Sequence, residues 1–323
     1  MAFQELSQPL RGIIPPMVTP LAGSNQLDLA GLERLVEHLI TGGVHGLFVL
    51  GSTGEGPSLS HPLRRELIER TCAHVDGRVP VLVGITDPCH AESLALARDA
   101  AELGADAVVL APPFYFPIEQ RELLDYTRQV AREVPLPLVI YNMPALTRIC
   151  YEPDTIRQLL DEPTIVGVKD SSGDLDYFRT LREVTRARAD WSLMIGQERL
   201  LVQSLELGGD GGVCGGANVW PQLFVQLYDA TLATTDTAIA EQGDVLPHLV
   251  DQADRLGQIL HPEHEPMTAS TVIRGSKAAL SVLGICSDLV ALPLEPCPPE
   301  EKRRIASILA KLALAAPLAE QRA

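Results

Sequence analysis

The chain has 323 residues, of which 46% are hydrophobic, so it can bury the core of one large α/β domain with an appendage or of two modest domains. Its formal net charge of -16 argues against sequence-independent binding to nucleic acid or to an anionic membrane, since both need clustered Lys and Arg. We therefore predict a small-molecule partner. The N-terminus lacks a basic region followed by an apolar core, and no apolar run approaches the roughly 18 residues of a membrane span, so we predict a cytoplasmic protein.

Eight short runs rich in Val, Ile and Leu alternate with amphipathic stretches, which is typical of strand and helix units with a parallel sheet. The predicted strands are, in chain order, 12–20, 45–51, 79–86, 106–113, 137–144, 165–171, 191–196 and 211–216. Helical patterns between the early strands cover 29–43, 63–75, 91–105 and 118–134.

Eight such units in about 230 residues match the size of a (β/α)8 barrel, the TIM-barrel fold. A doubly wound sheet would more often have fewer strands and a Gly-rich first turn, and no GxGxxG follows the first strand here. We predict a barrel catalytic domain over residues 1–233 and a helical C-terminal domain over residues 234–323.

Cysteine and histidine spacing predicts neither a disulfide framework nor a metal site. The six cysteines are scattered without CxxC spacing, which indicates buried, reduced thiols. The HPEH segment at 261–264 offers two imidazoles among prolines, with no third ligand in reach, so we predict a polar loop there.

The first of only four lysines, Lys169, stands at the end of the sixth predicted strand, and Tyr141 closes the fifth. Alternation of side chains predicts that Ile165 and Gly167 share a face with Lys169, and that Gly167 leaves room below its stem. Barrel active sites lie at the C-terminal ends of strands, so we expect Lys169 and Tyr141 to point side by side into the barrel mouth.

A lysine in such a pocket is desolvated, which favours the neutral amine and makes it a nucleophile towards carbonyl carbon. The alternative is a lysine that extends towards solvent or pairs with Asp170. The other three lysines, Lys277, Lys302 and Lys311, fall in predicted helix away from strand ends, so we expect none of them to be activated.

Two further motifs follow strand ends. GSTGEG at 51–56 can turn backbone N–H groups into a concavity in which Ser52 and Thr53 also donate, which suits a carboxylate or another small anion; the alternative is a plain turn. APPFYFPI at 111–118 places Tyr115 beyond the fourth strand, in an aromatic cluster that either packs at a subunit contact or caps the barrel.

GSTGE, PPFYF, YNMPA and GVKDSSGDL, in this order, resemble the motifs of the dihydrodipicolinate synthase and N-acetylneuraminate lyase family of pyruvate-dependent lyases. The resemblance runs from about residue 9 through at least residue 290. It implies a (β/α)8 barrel with a C-terminal helical domain, a homotetramer made of two tight dimers, and pyruvate or another 2-keto acid with an aldehyde as substrates. No cofactor is implied.

The resemblance also implies roles for individual residues. Lys169 resembles the family lysine that forms a Schiff base with the ketone of pyruvate, and Tyr141 resembles the tyrosine that moves protons during the reaction. Ser52 and Tyr115 resemble the rest of that relay, with Tyr115 reaching into the neighbouring subunit's site. Thr53 matches the cradle of the pyruvate carboxylate. The carbonyl of Val213 matches the one that faces the imine.

Departures from the family pattern bear on the second substrate. Leu146 stands where the synthases carry the arginine that binds the carboxylate of aspartate semialdehyde, although Arg148 follows two residues later. Gly215 stands where sialic acid lyases carry a serine, which argues against sialic acid. Ser171 and Glu198 are candidates for binding the hydroxyls of a shorter acid.

We therefore predict a lyase that reversibly adds pyruvate to an aldehyde or cleaves a 2-keto-3-deoxy acid. The alternatives are 4-hydroxy-tetrahydrodipicolinate synthase, a keto-deoxy sugar acid dehydratase that uses the same imine, and a catalytically silent small-molecule sensor. Retention of Lys169, Tyr141, Ser52 and Tyr115 together argues against the sensor.

Chelation should leave turnover unchanged. The iminium is itself the electron sink that a metal would otherwise supply, and no His, Cys, Asp or Glu cluster with ligand spacing accompanies the strand ends. Turnover measured with and without EDTA checks this. Loss of activity in EDTA that a divalent ion restores would contradict it.

Overall fold

A computed structural model describes residues 9–235, 245–260 and 268–315. The strands are β1 (Gly12–Ile13), β2 (Leu21–Gly23), β3 (Gln26–Leu27), β4 (Leu47–Val49), β5 (Val81–Gly84), β6 (Ala107–Leu110), β7 (Leu138–Asn142), β8 (Ile165–Asp170), β9 (Ser192–Ile195) and β10 (Gly211–Gly212). Eight of them form one parallel sheet in the order β1, β10, β9, β8, β7, β6, β5, β4, and β2 pairs with β3 in a separate antiparallel hairpin.

Backbone hydrogen bonds between the segment after β1 and β4 close the sheet on itself. The N–H of Phe48 donates to Pro15 O at 3.0 Å, and the N–H of Met17 donates to Phe48 O at 2.8 Å. The buried side chain of Asn218 joins the turn after β10 to the segment after β1, since its Nδ2 donates to Pro16 O at 3.0 Å. Each of the eight parallel strands lies inside a predicted run, so the expected (β/α)8 barrel is confirmed. The hairpin was not predicted.

Helices cover the outside of the barrel, and those predicted at 29–43, 63–75, 91–105 and 118–134 are confirmed. The helices are α1 (Leu29–Thr41), α2 (His61–Val75), α3 (His90–Glu102), α4 (Gln120–Glu133), α5 (Pro144–Thr147), α6 (Pro153–Leu159), α7 (Leu175–Thr185), α8 (Leu201–Glu206), α9 (Pro221–Thr235), α10 (Val245–Gly257), α11 (Ala269–Val282) and α12 (Pro299–Lys311).

Side-chain caps begin several of these helices. Asp28 accepts from the N–H of Gly31 at the start of α1, and Asp174 accepts from two N–H groups at the start of α7. Such caps satisfy N–H groups that have no partner inside the helix. The predicted division after residue 233 falls in the last turn of α9 and stays a prediction. The HPEH segment lies outside the described residues.

The strand register corrects one detail of the predicted barrel interior. Leu138 pairs with Ile165 but Val139 pairs with Gly167, so β8 carries one extra residue at Val166. Ile165 consequently lies in the cluster between sheet and helices, while Val166 faces the barrel interior. The prediction that Ile165 shares the face of Lys169 is wrong, because a bulge reverses the alternation on one side of it.

All six cysteines are free, as predicted, but only three are buried, and Cys89 is exposed at the start of α3, so the prediction of buried thiols is wrong there. Within the three described ranges, no helix is both long and apolar enough to cross a membrane.

Barrel closure should be sensitive to a methyl group at Gly211. A Cβ there would lie 2.0 Å from the carbonyl oxygen of Gly12 on the paired strand. Relieving that overlap requires backbone movement, so Gly211→Ala should lower the free energy of unfolding by about 1–3 kcal/mol or more. Denaturant unfolding measures the difference.

Gly257 is the control, because a Cβ at that helical position would meet no described atom within 4 Å beyond its chain neighbours and the backbone of its own helix. Gly257→Ala should leave the free energy of unfolding unchanged or raise it by up to about 1 kcal/mol. A Gly211→Ala variant as stable as wild type would contradict this prediction, because β1 and β10 would then have space for a methyl group between them.

Candidate active site

Lys169 and Tyr141 lie next to each other at the carboxyl ends of two neighbouring strands. Their Cα atoms are paired in register across β7 and β8. The lysine Nζ lies 3.9 Å from the centroid of the Tyr141 ring and 5.0 Å from that of Phe48. Lys169 is 5% exposed and Tyr141 is 6% exposed. The predicted juxtaposition of amine and phenol in the barrel mouth is therefore confirmed.

Lys169 does not pair with the adjacent carboxylate. Asp170 points to the opposite side of the strand, where Asn142 Nδ2 donates to its Oδ1 at 2.8 Å and Ser172 Oγ donates to its Oδ2 at 2.8 Å. Burial raises the pKa of Asp170, and the hydrogen bonds from Asn142 and Ser172 oppose that rise. The alternative of a Lys169–Asp170 ion pair is wrong, because successive strand residues face opposite sides.

The pKa of Tyr141 is lowered from its ordinary value. Burial is the largest single influence and acts to raise this pKa, but the positive charge of Lys169 and hydrogen bonds from Ser52, Ser171 and Lys169 together outweigh it. A phenol held in this way gives up and regains its proton more easily than a phenol in water. Ser52, predicted on the turn after β4, is thus one of the groups that lower the pKa of Tyr141.

The turn that carries Ser52 and Thr53 is closed by its own backbone. The N–H of Glu55 donates to Ser52 O at 3.1 Å, and the N–H of Gly56 donates to Gly51 O at 3.2 Å. Ser52 and Thr53 are both half-buried. The role of Thr53 in holding a carboxylate stays a prediction.

Ser171 and Val213 border the same space. Ser171 is buried, and its Oγ lies 1.8 Å from where a Cβ on Gly196 would stand, with Lys169 Cε 3.0 Å from that point. Glycine at 196 is therefore what lets the lysine stem and the serine hydroxyl lie together. Gly167, by contrast, gives room to the neighbouring strand, because a Cβ there would meet Ser192 O at 2.7 Å. Val213 is buried among the side chains inside the barrel.

Glu198 lies on a short turn after β9. Its Oε2 accepts from the N–H of Gly216 at 2.6 Å. Burial raises the pKa of this carboxyl, and the Gly216 N–H and Arg199 act in the opposite direction. A Cβ on Gly215 would stand 3.8 Å from Glu198 Oε2, its nearest neighbour there. The space at Gly215 beside the carboxylate is therefore open.

Leu146 and Arg148 lie at the rim, and neither is buried. Leu146 is 42% exposed on the single turn of α5. Arg148 ends that turn with φ of 60°, a left-handed conformation that favours glycine. Arg148 is thus exposed and held in a strained backbone conformation.

Tyr115 lies outside the cluster within one chain. Its side chain is 78% exposed, and its ring packs edge-to-face on Phe116 with centroids 5.1 Å apart. Its place in a neighbouring subunit's site stays a prediction.

Sequence reasoning missed two features of the site. The ring of Phe48 lies below the Lys169 amine and packs edge-to-face on Tyr141, with ring centroids 6.4 Å apart. Its position on a predicted barrel strand could have indicated that it faces the interior. Lys277 is fully buried and forms an ion pair with Glu55 of the turn after β4. The expectation that Lys277 lies away from strand ends is wrong.

No group of three or more His, Cys, Asp or Glu side chains is arranged to hold a metal ion in the described part of the chain. The cluster instead combines a buried amine that has no carboxylate partner among the described residues, a phenol of lowered pKa and hydroxyl groups. An amine in such surroundings can attack a carbonyl carbon, and the phenol and Ser52 can carry the protons.

Comparison with known proteins agrees with this chemistry. A family model described as the Dihydrodipicolinate synthetase family matches residues 9–312. The solved dihydrodipicolinate synthase from Bacteroides thetaiotaomicron is 42% identical, with a TM-score of 0.87 over 94% of this chain and 99% of that chain. Pyruvate-bound YagE from E. coli K12, a prophage protein of the dihydrodipicolinic acid synthase family, is 30% identical, with a TM-score of 0.86 over 95% of this chain and 100% of that chain.

A sugar-acid aldolase is among the relatives as well. The Escherichia coli K12 protein named Probable 2-dehydro-3-deoxy-D-pentonate aldolase YjhH is 38% identical over 221 residues, which are 68% of this chain and 73% of that protein. The chain belongs to the dihydrodipicolinate synthetase family and is an enzyme, a lyase of the class I aldolase type.

Proposed function

We propose that the enzyme reversibly adds pyruvate to a short, uncharged hydroxyaldehyde, or cleaves the corresponding 2-keto-3-deoxy acid, through a Schiff base on Lys169. The observation that carries the proposal is the buried Nζ of Lys169, which lies 3.9 Å from the centroid of the Tyr141 ring and has no carboxylate partner among the described residues. The comparisons support it, because YagE was solved with pyruvate and YjhH is named as an aldolase of a keto-deoxy acid.

Imine formation begins when the neutral amine of Lys169 attacks the ketone carbon of pyruvate. The carbinolamine that forms then loses its hydroxyl as water, and the product is an iminium. Tyr141 supplies the proton for that water and Ser52 passes protons to and from the phenol. The pyruvate carboxylate rests on the turn at Ser52 and Thr53, where N–H groups and hydroxyls are gathered. The carbonyl of Val213 faces the imine.

Carbon–carbon bond formation follows from the iminium. Loss of a proton from the methyl carbon gives an enamine, whose carbon attacks the aldehyde while the aldehyde oxygen takes up a proton. Water then adds to the new iminium and releases the 2-keto acid with the free amine. Tyr141 serves alternately as base and acid, which its lowered pKa favours.

The end of the site that receives the aldehyde carries hydroxyl-binding groups. Ser171 and Glu198 border it, and the open space at Gly215 adjoins the Glu198 carboxylate. Leu146 offers no charge to a substrate carboxylate. This combination favours a hydroxyaldehyde over aspartate semialdehyde.

A second candidate function is 4-hydroxy-tetrahydrodipicolinate synthase, and Arg148 is the observation that favours it. Its guanidinium is on the exposed rim two residues from Leu146, and it has no hydrogen bond or ion pair with any residue in the described ranges. A swing of this side chain would place a guanidinium near the aldehyde. The high identity to the Bacteroides synthase supports the same candidate.

We also propose that the protein works in the cytoplasm as a homotetramer. The exposed aromatic pair Tyr115 and Phe116 supports a contact between subunits, because rings of this size are costly to leave in water. In that assembly Tyr115 would complete the proton relay of its neighbour.

Borohydride in the presence of pyruvate should add a pyruvate-derived mass to wild type and none to Lys169→Ala. Only an imine is reduced to a stable secondary amine, and Lys169 is the amine in the proposed site. Intact-mass spectrometry with peptide mapping locates the adduct.

Lys302→Ala is the control, because Lys302 Nζ is held by Asp288 Oδ2 at 2.7 Å and Ser281 Oγ at 3.1 Å and takes no part in the proposed reaction. This variant should retain the adduct. An adduct on another lysine in Lys169→Ala would contradict the assignment.

Aspartate semialdehyde should be a poorer substrate than glyceraldehyde or a similar hydroxyaldehyde. A carboxylate without its arginine loses an interaction worth about 2–4 kcal/mol, or roughly thirty- to a thousandfold in kcat/KM. Steady-state kcat/KM for both aldehydes with pyruvate checks the order.

Two variants of Arg148 separate its charge from its backbone conformation. Arg148→Ala and Arg148→Gly both remove the guanidinium, but only glycine relieves the left-handed strain. Under our proposal neither variant changes the preference for the hydroxyaldehyde. A preference of wild type for aspartate semialdehyde that collapses equally in both variants would establish the synthase instead.

A further inference from the structure

A buried ion pair joins the turn at residues 51–56 to helix α11. Lys277 Nζ contacts Glu55 Oε1, and the two side chains are fully buried. The other oxygen of Glu55 accepts from the N–H of Ala291 at 2.6 Å, and Lys277 Nζ also donates to Leu289 O at 2.6 Å. The carboxylate of the turn is therefore held from two sides by segments more than 200 residues further along the chain.

The turn itself is in a conformation that needs such support. Leu50 and Glu55, neither of them glycine, have positive φ values of 58° and 57°. A Cβ on Gly56 would stand 2.2 Å from Leu50 O, and one on Gly54 would stand 2.9 Å from Met17 O. Backbone in sparsely populated regions persists only where its surroundings determine it. Glu55 combines a strained backbone conformation with a side chain that Lys277 and the Ala291 N–H hold in place.

We propose that Glu55 is a positioning residue for the reaction, and that Lys277 and the Ala291 N–H act on catalysis through it. Fixing Glu55 sets the direction of the turn, and the turn presents Ser52 to Tyr141 and Thr53 to the substrate. The role of Thr53 in binding substrate rests on the function proposed above. The contacts that hold the turn, from Lys277 and the Ala291 N–H to Glu55, do not rest on it, and we call them the clamp.

The pair is better suited to holding a position than to adding stability. Two buried charges lose their hydration, and their attraction restores that loss only when the geometry is good and other hydrogen bonds complete it. Here both partners have an additional backbone bond. The pKa of Lys277 is lowered, because burial is the largest influence on it and outweighs the opposing charge and hydrogen bond of Glu55.

Glu55→Gln should raise the KM for pyruvate by about tenfold or more, and by a larger factor than it lowers kcat. A small displacement of groups that hold the substrate carboxylate weakens binding in the ground state and transition state alike. The double variant Glu55→Gln/Lys277→Met leaves no buried charge unpaired, so it should recover the melting temperature lost by the single variant while its KM stays raised.

Glu162→Gln is the matched control. Glu162 is also a buried carboxylate, paired with Arg128 and Arg132, but it precedes β8 and so lies at the opposite end of the barrel. This variant should lose stability and keep the KM for pyruvate. The contrast separates positioning of the turn from a general loss of stability.

Hydrogen exchange of the ligand-free enzyme tests the clamp without any substrate. The amides of Glu55 and Gly56, which close the turn, should exchange faster in Glu55→Gln and in the double variant but not in Glu162→Gln. If wild type forms no pyruvate adduct, the proposed function is wrong. The hydrogen-exchange rates of the Glu55 and Gly56 amides would still show whether Glu55 holds the turn in place. Unchanged exchange, or a KM that returns to wild type together with the melting temperature in the double variant, would overturn the proposal.

Discussion

The in-register pairing of β7 with β8 decides what the buried amine of Lys169 can do. The pairing sets Lys169 beside Tyr141 on the inner face, and sets Asp170 beside Asn142 on the outer face. A charge removed from water normally takes an opposite charge as its partner, but the carboxylate of the adjacent residue, Asp170, lies on the other side of the sheet. The amine is left with two aromatic rings and hydroxyl groups. A nucleophilic amine needs surroundings of this kind, and β-strand alternation provides them.

Most of the fold and part of the site follow from short-range patterns in the sequence. Apolar runs bounded by turn residues located all eight barrel strands, and the positions of Lys169 and Tyr141 at strand ends predicted that they meet. Ile165 could not be placed, because its side is set by how β8 fits β7, and a single extra residue reverses the alternation. Lys277 could not be placed either. Its contact with Glu55 depends on packing of α11 over the barrel mouth, which no local pattern records.

The residues that carry the chemistry and those that choose the aldehyde differ in how they are held. Lys169 and Tyr141 belong to central strands with neighbours on both sides. Leu146 and Arg148 belong to a single helical turn at the rim, and Glu198 to a short turn after β9. Residues on loops change with little effect on the barrel beneath them, so one imine chemistry can serve several aldehydes on the same scaffold. The relatives, which include both a synthase and a sugar-acid aldolase by name, fit this division.

Lys169 and Lys277 show that burial alone does not make a lysine reactive. Both side chains are almost completely buried, and both lie near the turn after β4. Lys277 has a carboxylate and a backbone carbonyl as partners for its amine. Lys169 instead faces the rings of Phe48 and Tyr141 and has no carboxylate partner among the described residues. One lysine is therefore suited to holding the turn in place and the other to attacking the substrate that the turn presents.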